Sequence, residues 1–139
     1  VLWKLSCAFV LMAISVGIHA IGIVWAMQRT KRLPWTPTYF PWVRRFVRLA
    51  AWIILVHLIE IFVWGAFYSW QQAIPQLADA LYFSAATYTT TGYGDIVLPA
   101  GWHLFSTAES LTGILMCGWS TGFFFAVIHR IYENDQHRA

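Results

Sequence analysis

Three stretches of the chain stay predominantly apolar for longer than a bilayer is thick, at residues 5–27, 43–67 and 103–131. A helix rises 1.5 Å per residue and needs about 20 apolar residues to cross the hydrocarbon core, so each stretch predicts a transmembrane helix. The first contains no Asp, Glu, Lys or Arg. Between the second and third, residues 74–89 are apolar but too short to span, and predict a helix that enters the membrane and returns. Pro75 is expected in the first turn of that half-helix, residues 75–88, where its missing N–H costs nothing.

Composition supports the pattern. The 139 residues are 59% hydrophobic and 11% charged, with a mean hydropathy of +0.58, too apolar for an ordinary soluble domain. The first apolar stretch outruns the 7–15 residues of a secretory signal, and no small-residue cleavage site precedes Arg29, so it reads as a retained helix. Arg29, Lys31, Arg32, Arg44, Arg45 and Arg48 are six of the nine Lys and Arg, all in or beside the first connection. Basic residues favour the cytoplasmic side, which puts the N-terminus outside and the C-terminus inside. Only Lys4 disagrees. Trp25, Trp35, Trp42 and Tyr132 fall near the expected inner boundary, and Trp3, Trp64, Tyr68, Trp70 and Trp102 near the outer one, as interfacial aromatic rings do. Trp52 and Trp119 fit neither belt and read as packing residues between helices. Cys7 and Cys117 sit within apolar segments as small core residues, and no spacing of His, Cys or acidic residues marks a metal site.

The connection between the second and third spans holds the run Thr89-Thr90-Thr91-Gly92-Tyr93-Gly94-Asp95. Alternating glycines let the backbone adopt φ values closed to other residues, so that consecutive carbonyls can face one axis and replace the hydration shell of an ion. On Thr90, Thr91, Gly92, Tyr93 and Gly94 the sequence resembles the Thr-Val-Gly-Tyr-Gly filter of the tetrameric potassium channels, with Thr91 where valine is usual. The resemblance implies K+ bound at Thr90, Thr91, Gly92 and Tyr93, and no organic cofactor. It also implies that Asp95 is hydrogen-bonded from the pore helix behind the filter. The glutamate that serves some members nine residues earlier is Ala86 here. The tryptophan that serves others thirteen residues earlier is Tyr82, whose hydroxyl is expected to donate to Asp95, the alternative being simple packing as part of an aromatic cuff. Asp79 reads as a helix-start residue.

One such loop cannot encircle an ion. A homotetramer with cyclic symmetry, embedded in lipid, is therefore expected, with the C-terminal, negative end of each half-helix toward the central cavity. No nucleic-acid partner is indicated. The third span carries Gly113, Gly118 and Gly122. Gly113 lies nearest to where the family bends its inner helix, while Gly118 and Gly122 form a Gly-x-x-x-Gly pair suited to helix packing. Phe125, in the run Phe123–Phe125, is a candidate for a hydrophobic gate or for lipid contact.

Two ionisable groups remain inside the second span. His57 and Glu60 are three apart and share a helix face, and a charge near the bilayer centre costs about 2.5–3.5 kcal/mol, so they should face protein. Mutual hydrogen bonding, or bonding to a region such as that of Glu109, is one reading, and proton-sensitive gating the other. Gly118-Trp119-Ser120-Thr121-Gly122 matches the Gly-x-Ser-x-Gly of hydrolases, yet that motif needs a strand, a turn and then a helix, and here it lies inside an apolar span. An intramembrane hydrolase pairing Ser120 with His57 is the enzymatic alternative, and the expectation is no enzyme. The basic residues at 44, 45 and 48 lack the every-third-residue run of a voltage sensor. Nine residues follow Arg130, so any gate is expected in the membrane part.

The sequence thus predicts an all-α membrane protein with three transmembrane helices plus a re-entrant pore helix and filter loop, assembled as a tetramer. Residues 1–42 form an N-terminal helix and basic loop, and residues 43–139 a pore module with outer helix 43–67, pore helix 75–88, filter 89–95 and inner helix 103–131. The expected function is passive, selective K+ conduction in a prokaryotic inner membrane. A nonselective monovalent cation channel and a non-conducting subunit that uses the pore fold for assembly are the alternatives.

Overall fold

A computed structural model describes the backbone of residues 2–31 and 39–136, with side chains at 2–30 and 40–130. Arg32, Trp35, His137 and Arg138 lie outside the described residues, as do the side chains of Lys31 and Tyr132. The described chain is all helical: α1 (Leu2–Lys31), α2 (Tyr39–Trp70), α3 (Leu77–Tyr88) and α4 (His103–Gln136). α1, α2 and α4 are each long and apolar enough to cross a membrane. Helices are the natural outcome for such sequences, because lipid offers no partner to a backbone N–H or C=O. The threonine hydroxyls that interrupt α4 close onto their own helix: Thr107, Thr112 and Thr121 donate to the carbonyls of His103, Ala108 and Cys117 at 2.8–3.0 Å.

The end of α2 is set by a Schellman motif. Gln72 takes φ +56, the Gln72 amide bonds the Ser69 carbonyl, and the Ala73 amide bonds the Tyr68 carbonyl. The short α3 then starts at Leu77, with Gln76 as its N-cap and Asp79 in its first turn. Pro75 is therefore outside the helix, two residues ahead of its first residue, and its carbonyl accepts from Ser69 Oγ at 3.0 Å. The Schellman turn uses up the residues that the sequence reading gave to an earlier helix start.

α3 packs chiefly on α2 and more lightly on α4, while α1 packs against both α2 and α4, which barely touch each other. The first helix is thus seated between the two other spanning helices. Apolar packing is layered along the bundle. At one end Trp64, Tyr68, Phe83, Trp102 and Phe105 are buried together, with Phe67 stacked on Phe105 at 5.1 Å. Ile61, Tyr88 and Met116 lie in another cluster, and Ala26, Ile53 and Phe123 in a third.

Trp64 and Tyr68 depart from their assigned place in an interfacial belt. Both are fully buried, Trp64 donating to Ser15 Oγ at 3.0 Å and Tyr68 to Glu109 Oε2 at 2.7 Å. Their polar atoms found protein partners instead of headgroups. Trp52 behaves as expected, tilted against Trp25 at 4.2 Å between centroids, with Nε1 donating to the Gly22 carbonyl. Lys4, the one basic residue that opposed the charge rule, has a local reason to be where it is: Nζ donates to the Gly101 carbonyl at 3.1 Å and sits 4.0 Å over the Trp102 ring.

Candidate functional site

The loop after α3 begins by folding back onto the helix it leaves. The Thr89 amide and hydroxyl both bond the Ala85 carbonyl, the Thr90 amide bonds Thr87, and the Gly92 amide bonds Ala86. Carbonyls that a helix C-terminus leaves open are thereby satisfied, and the loop is anchored to α3. Side chains reinforce this: Thr89 Oγ1 lies 2.9 Å from Thr91 Oγ1, and Thr90 Oγ1 donates to the Thr89 carbonyl at 2.7 Å. Backbone handedness then alternates. Thr90, Gly92 and Gly94 have φ of +59, +55 and +79, whereas Thr91 and Tyr93 do not enter the positive region. Glycine carries that geometry freely and threonine does not, so Thr90 is held there by its surroundings.

Behind the loop, Tyr82 Oη donates to Asp95 Oδ2 at 2.7 Å, the pairing expected from their thirteen-residue spacing. That bond is the main influence on the carboxyl and holds it below its ordinary range. Desolvation works the other way, and the amides of Asp95 and Ile96 add to the lowering. The same bond raises the Tyr82 phenol.

α4 meets the end of α3 at Gly113. A Cβ there would stand 1.9 Å from the Tyr88 carbonyl oxygen, and one turn away Ser110 Oγ donates to the Thr87 carbonyl at 3.1 Å. Gly113 is thus a close-approach position. Gly118 and Gly122 have nothing within 4 Å of where a Cβ would be, and Phe125 is exposed on the single chain. α4 is continuous through all three glycines.

Two buried polar clusters flank this junction. In one, Glu109 on α4 is fully buried and accepts from Tyr68 and, at 2.5 Å, from Ser84, whose hydroxyl also lies 2.9 Å from the Ile61 carbonyl. In the other, five contacts close a ring. Glu60 Oε1 lies 2.9 Å from His19 Nδ1, His19 Nε2 is 3.2 Å from Ser120 Oγ, Ser120 Oγ is 3.1 Å from His57 Nε2, and His57 Nδ1 is 3.0 Å from Tyr88 Oη, which bonds back to Glu60 Oε2. Each of the four helices contributes to it. His57 and Glu60 do share a face, with a 3.8 Å separation, but the bonds linking them pass through Tyr88. Glu109, whose region the sequence offers as an alternative partner for the pair, belongs to the other cluster.

His19 was not singled out from sequence. Its only signal there is that it is an ionisable side chain in an otherwise uncharged span, and its partners are 41 and 101 residues away. His19, His57 and Glu60 each offer one ligand atom within 4.8 Å of the others, making them the group able to hold a metal among the described residues.

Ser120 does meet His57, as a hydrolase pair would. Yet Ser120 lies in the interior of α4, where backbone amides are committed to the helix and none is left to stabilise an oxyanion. A family model described as an ion channel matches residues 54–130, which include part of α2, all of α3, the 89–95 loop and most of α4. The chain belongs to this ion-channel family. It is a channel protein, not an enzyme, and the matched residues carry the potassium-channel-like pore module. No curated protein and no solved structure matches the chain. α1, and with it His19, lies outside the matched channel module.

Proposed function

We propose that four copies of this chain assemble around an axis to form a potassium-selective pore, with Thr90, Thr91, Gly92, Tyr93 and Gly94 as its filter and K+ held at Thr90 to Tyr93. The observation that carries the reading is the alternation of handedness at Thr90, Gly92 and Gly94. Peptides of alternating hand turn their N–H groups to one side and so their carbonyls to the other, which is what a dehydrated cation needs. One loop per chain supplies one quarter of such a ring, and Tyr93, exposed on the isolated chain, would find its neighbours in the adjoining copies.

In this reading the Tyr82–Asp95 bond braces the filter from behind, and Gly113 holds α4 against the base of the pore helix. The gate lies further along α4, with Gly118 and Gly122 as hinge or packing positions and Phe125 as the constriction. The His57–Glu60 pair is structural, its polar atoms being satisfied by the ring. The basic first connection faces the cytoplasm and the filter the outside, with the membrane that of a prokaryotic cell.

Potassium efflux from liposomes containing the purified chain tests the proposal. Efflux abolished by Gly92→Val supports it. Equal sodium efflux would favour the nonselective channel that Thr91 allows, and no efflux a non-conducting assembly.

A further inference from the structure

The ring around Glu60 takes no part in the conduction path proposed above. We propose that His19, His57 and Glu60 form a binding site for a borderline divalent transition-metal ion such as Zn2+, with Tyr88 as an adjacent oxygen donor.

The two imidazoles are oriented alike. Both Nδ1 atoms face the Glu60 carboxylate, at 2.9 and 3.8 Å, and both Nε2 atoms face Ser120 Oγ, at 3.2 and 3.1 Å. In the metal-free ring the carboxylate can only accept, so His19 Nδ1 donates to Glu60, and Tyr88, whose one hydrogen goes to Glu60, accepts from His57 Nδ1. A bound ion takes the place of those two hydrogens: each imidazole then carries its proton on Nε2, and Ser120 Oγ, with two lone pairs, can accept both. A ligating histidine characteristically donates its second ring N–H to such an outer partner, and here one serine serves two histidines. With both lone pairs so used in the metal-bound site, the serine's own hydrogen is free for a backbone carbonyl of the preceding turn, a common choice for serine in a helix.

The donor set selects the ion. Two imidazole nitrogens, a carboxylate and a phenol suit Zn2+, whereas Ca2+ and Mg2+ prefer all-oxygen shells. Zinc ligands at about 2.0–2.2 Å in a tetrahedron stand roughly 3.4 Å apart. The three ligand atoms already lie within 4.8 Å of one another, so the widest separation must close by about 1.4 Å, a matter of side-chain rotation. His19 and Glu60 are fully buried and the His57 side chain is 17% exposed, which gives an ion its way in.

An ionised Glu60 with two neutral imidazoles, Ser120 and Tyr88 supplies four hydrogens to the five contacts of the metal-free ring. Ligation needs no proton lost from either neutral imidazole, because the single ring proton moves to Nε2 and leaves the Nδ1 lone pair to the ion. The bound ion ties α1 to α2 and, through Ser120 and Tyr88, to α4 and α3.

The experiment uses the full chain, purified in detergent and stripped with a chelator, titrated calorimetrically with Zn2+ and spectroscopically with Co2+. One ion per chain is expected, with the visible bands of tetrahedral Co2+. His19→Ala and Glu60→Gln should abolish binding, Ser120→Ala should weaken it about 10–100-fold, and His103→Ala should leave it unchanged. Wild-type protein lacking stoichiometric binding, or a His19→Ala variant that binds like wild type, would overturn the proposal. X-ray absorption at the zinc edge of the wild-type protein decides the matter without any variant: two imidazoles with oxygen support the site, and a sulfur-containing or all-oxygen shell rejects it.

Discussion

Tyr82 and Asp95 are joined by a 2.7 Å hydrogen bond across thirteen residues that contain the whole Thr-Thr-Gly-Tyr-Gly run. The bond closes a short circuit between the pore helix and the far end of the loop, so the loop is held at both ends: by α3 carbonyls at Thr89–Gly92 and by the Tyr82 hydroxyl at Asp95.

Replacing Tyr82 with Phe removes only the oxygen that holds the far end. Potassium currents in planar bilayers are expected to decay faster during sustained conduction, with Tyr82→Trp, which keeps a ring N–H donor, restoring much of the wild-type time course. Identical decay in wild type and Tyr82→Phe would remove the bracing role.

The same contact predicts a pH dependence. Asp95 has a lowered pKa in the folded chain, so its charged form is favoured by folding, and its contribution is complete above the ordinary carboxylate range near 4. It is lost only as the pH falls through the lowered folded value. Current stability should therefore hold from external pH 7 down to about 5 and fail below the ordinary range near 4, as measured by the current time course at stepped external pH.

Gly113→Ala should be severe. Its Cβ would stand 1.9 Å from the Tyr88 carbonyl oxygen, a backbone atom that cannot move without shifting the start of the filter. Overpacking of this kind typically costs about 1–3 kcal/mol. The thermal midpoint in detergent should fall and potassium flux should drop, while Gly118→Ala, with open space around it in the chain, should change the midpoint little.

Tyr68→Phe tests the second buried cluster. It leaves Glu109 Oε2 without its donor in a fully buried position, and an unsatisfied buried acceptor costs about 1–3 kcal/mol. Stability is expected to fall by that order in a denaturant or thermal series. Glu109→Gln should cost less, because an amide oxygen still accepts from one of the two hydroxyls.

The sequence was most legible where length or spacing alone decides. Three spans follow from how many apolar residues a bilayer requires, and the Tyr82–Asp95 partnership follows from counting along a short helix and loop. What stayed hidden was helix rotation. α1 is apolar on nearly every face, and lipid is as apolar as a helix interior, so no polar stripe marks which side meets protein. His19 thus passed as one polar residue among many apolar ones, and the ring on Glu60 was seen only as a His57–Glu60 pair. Trp64 and Tyr68 misled for a related reason: a tryptophan near a helix end can turn its N–H to headgroups or to a serine on the next helix, and composition treats both alike. Pro75 was placed inside the pore helix because proline suits a first turn, but the Schellman turn at Gln72 moved the helix start to Leu77.

The central claim is that residues 90–94 select potassium. The most direct test is the reversal potential of the purified channel in a planar bilayer with potassium on one side and sodium on the other. The account predicts a reversal potential far from zero, reporting strong preference for potassium, and loss of the current in Gly92→Val. A reversal potential near zero in the wild-type channel would contradict it.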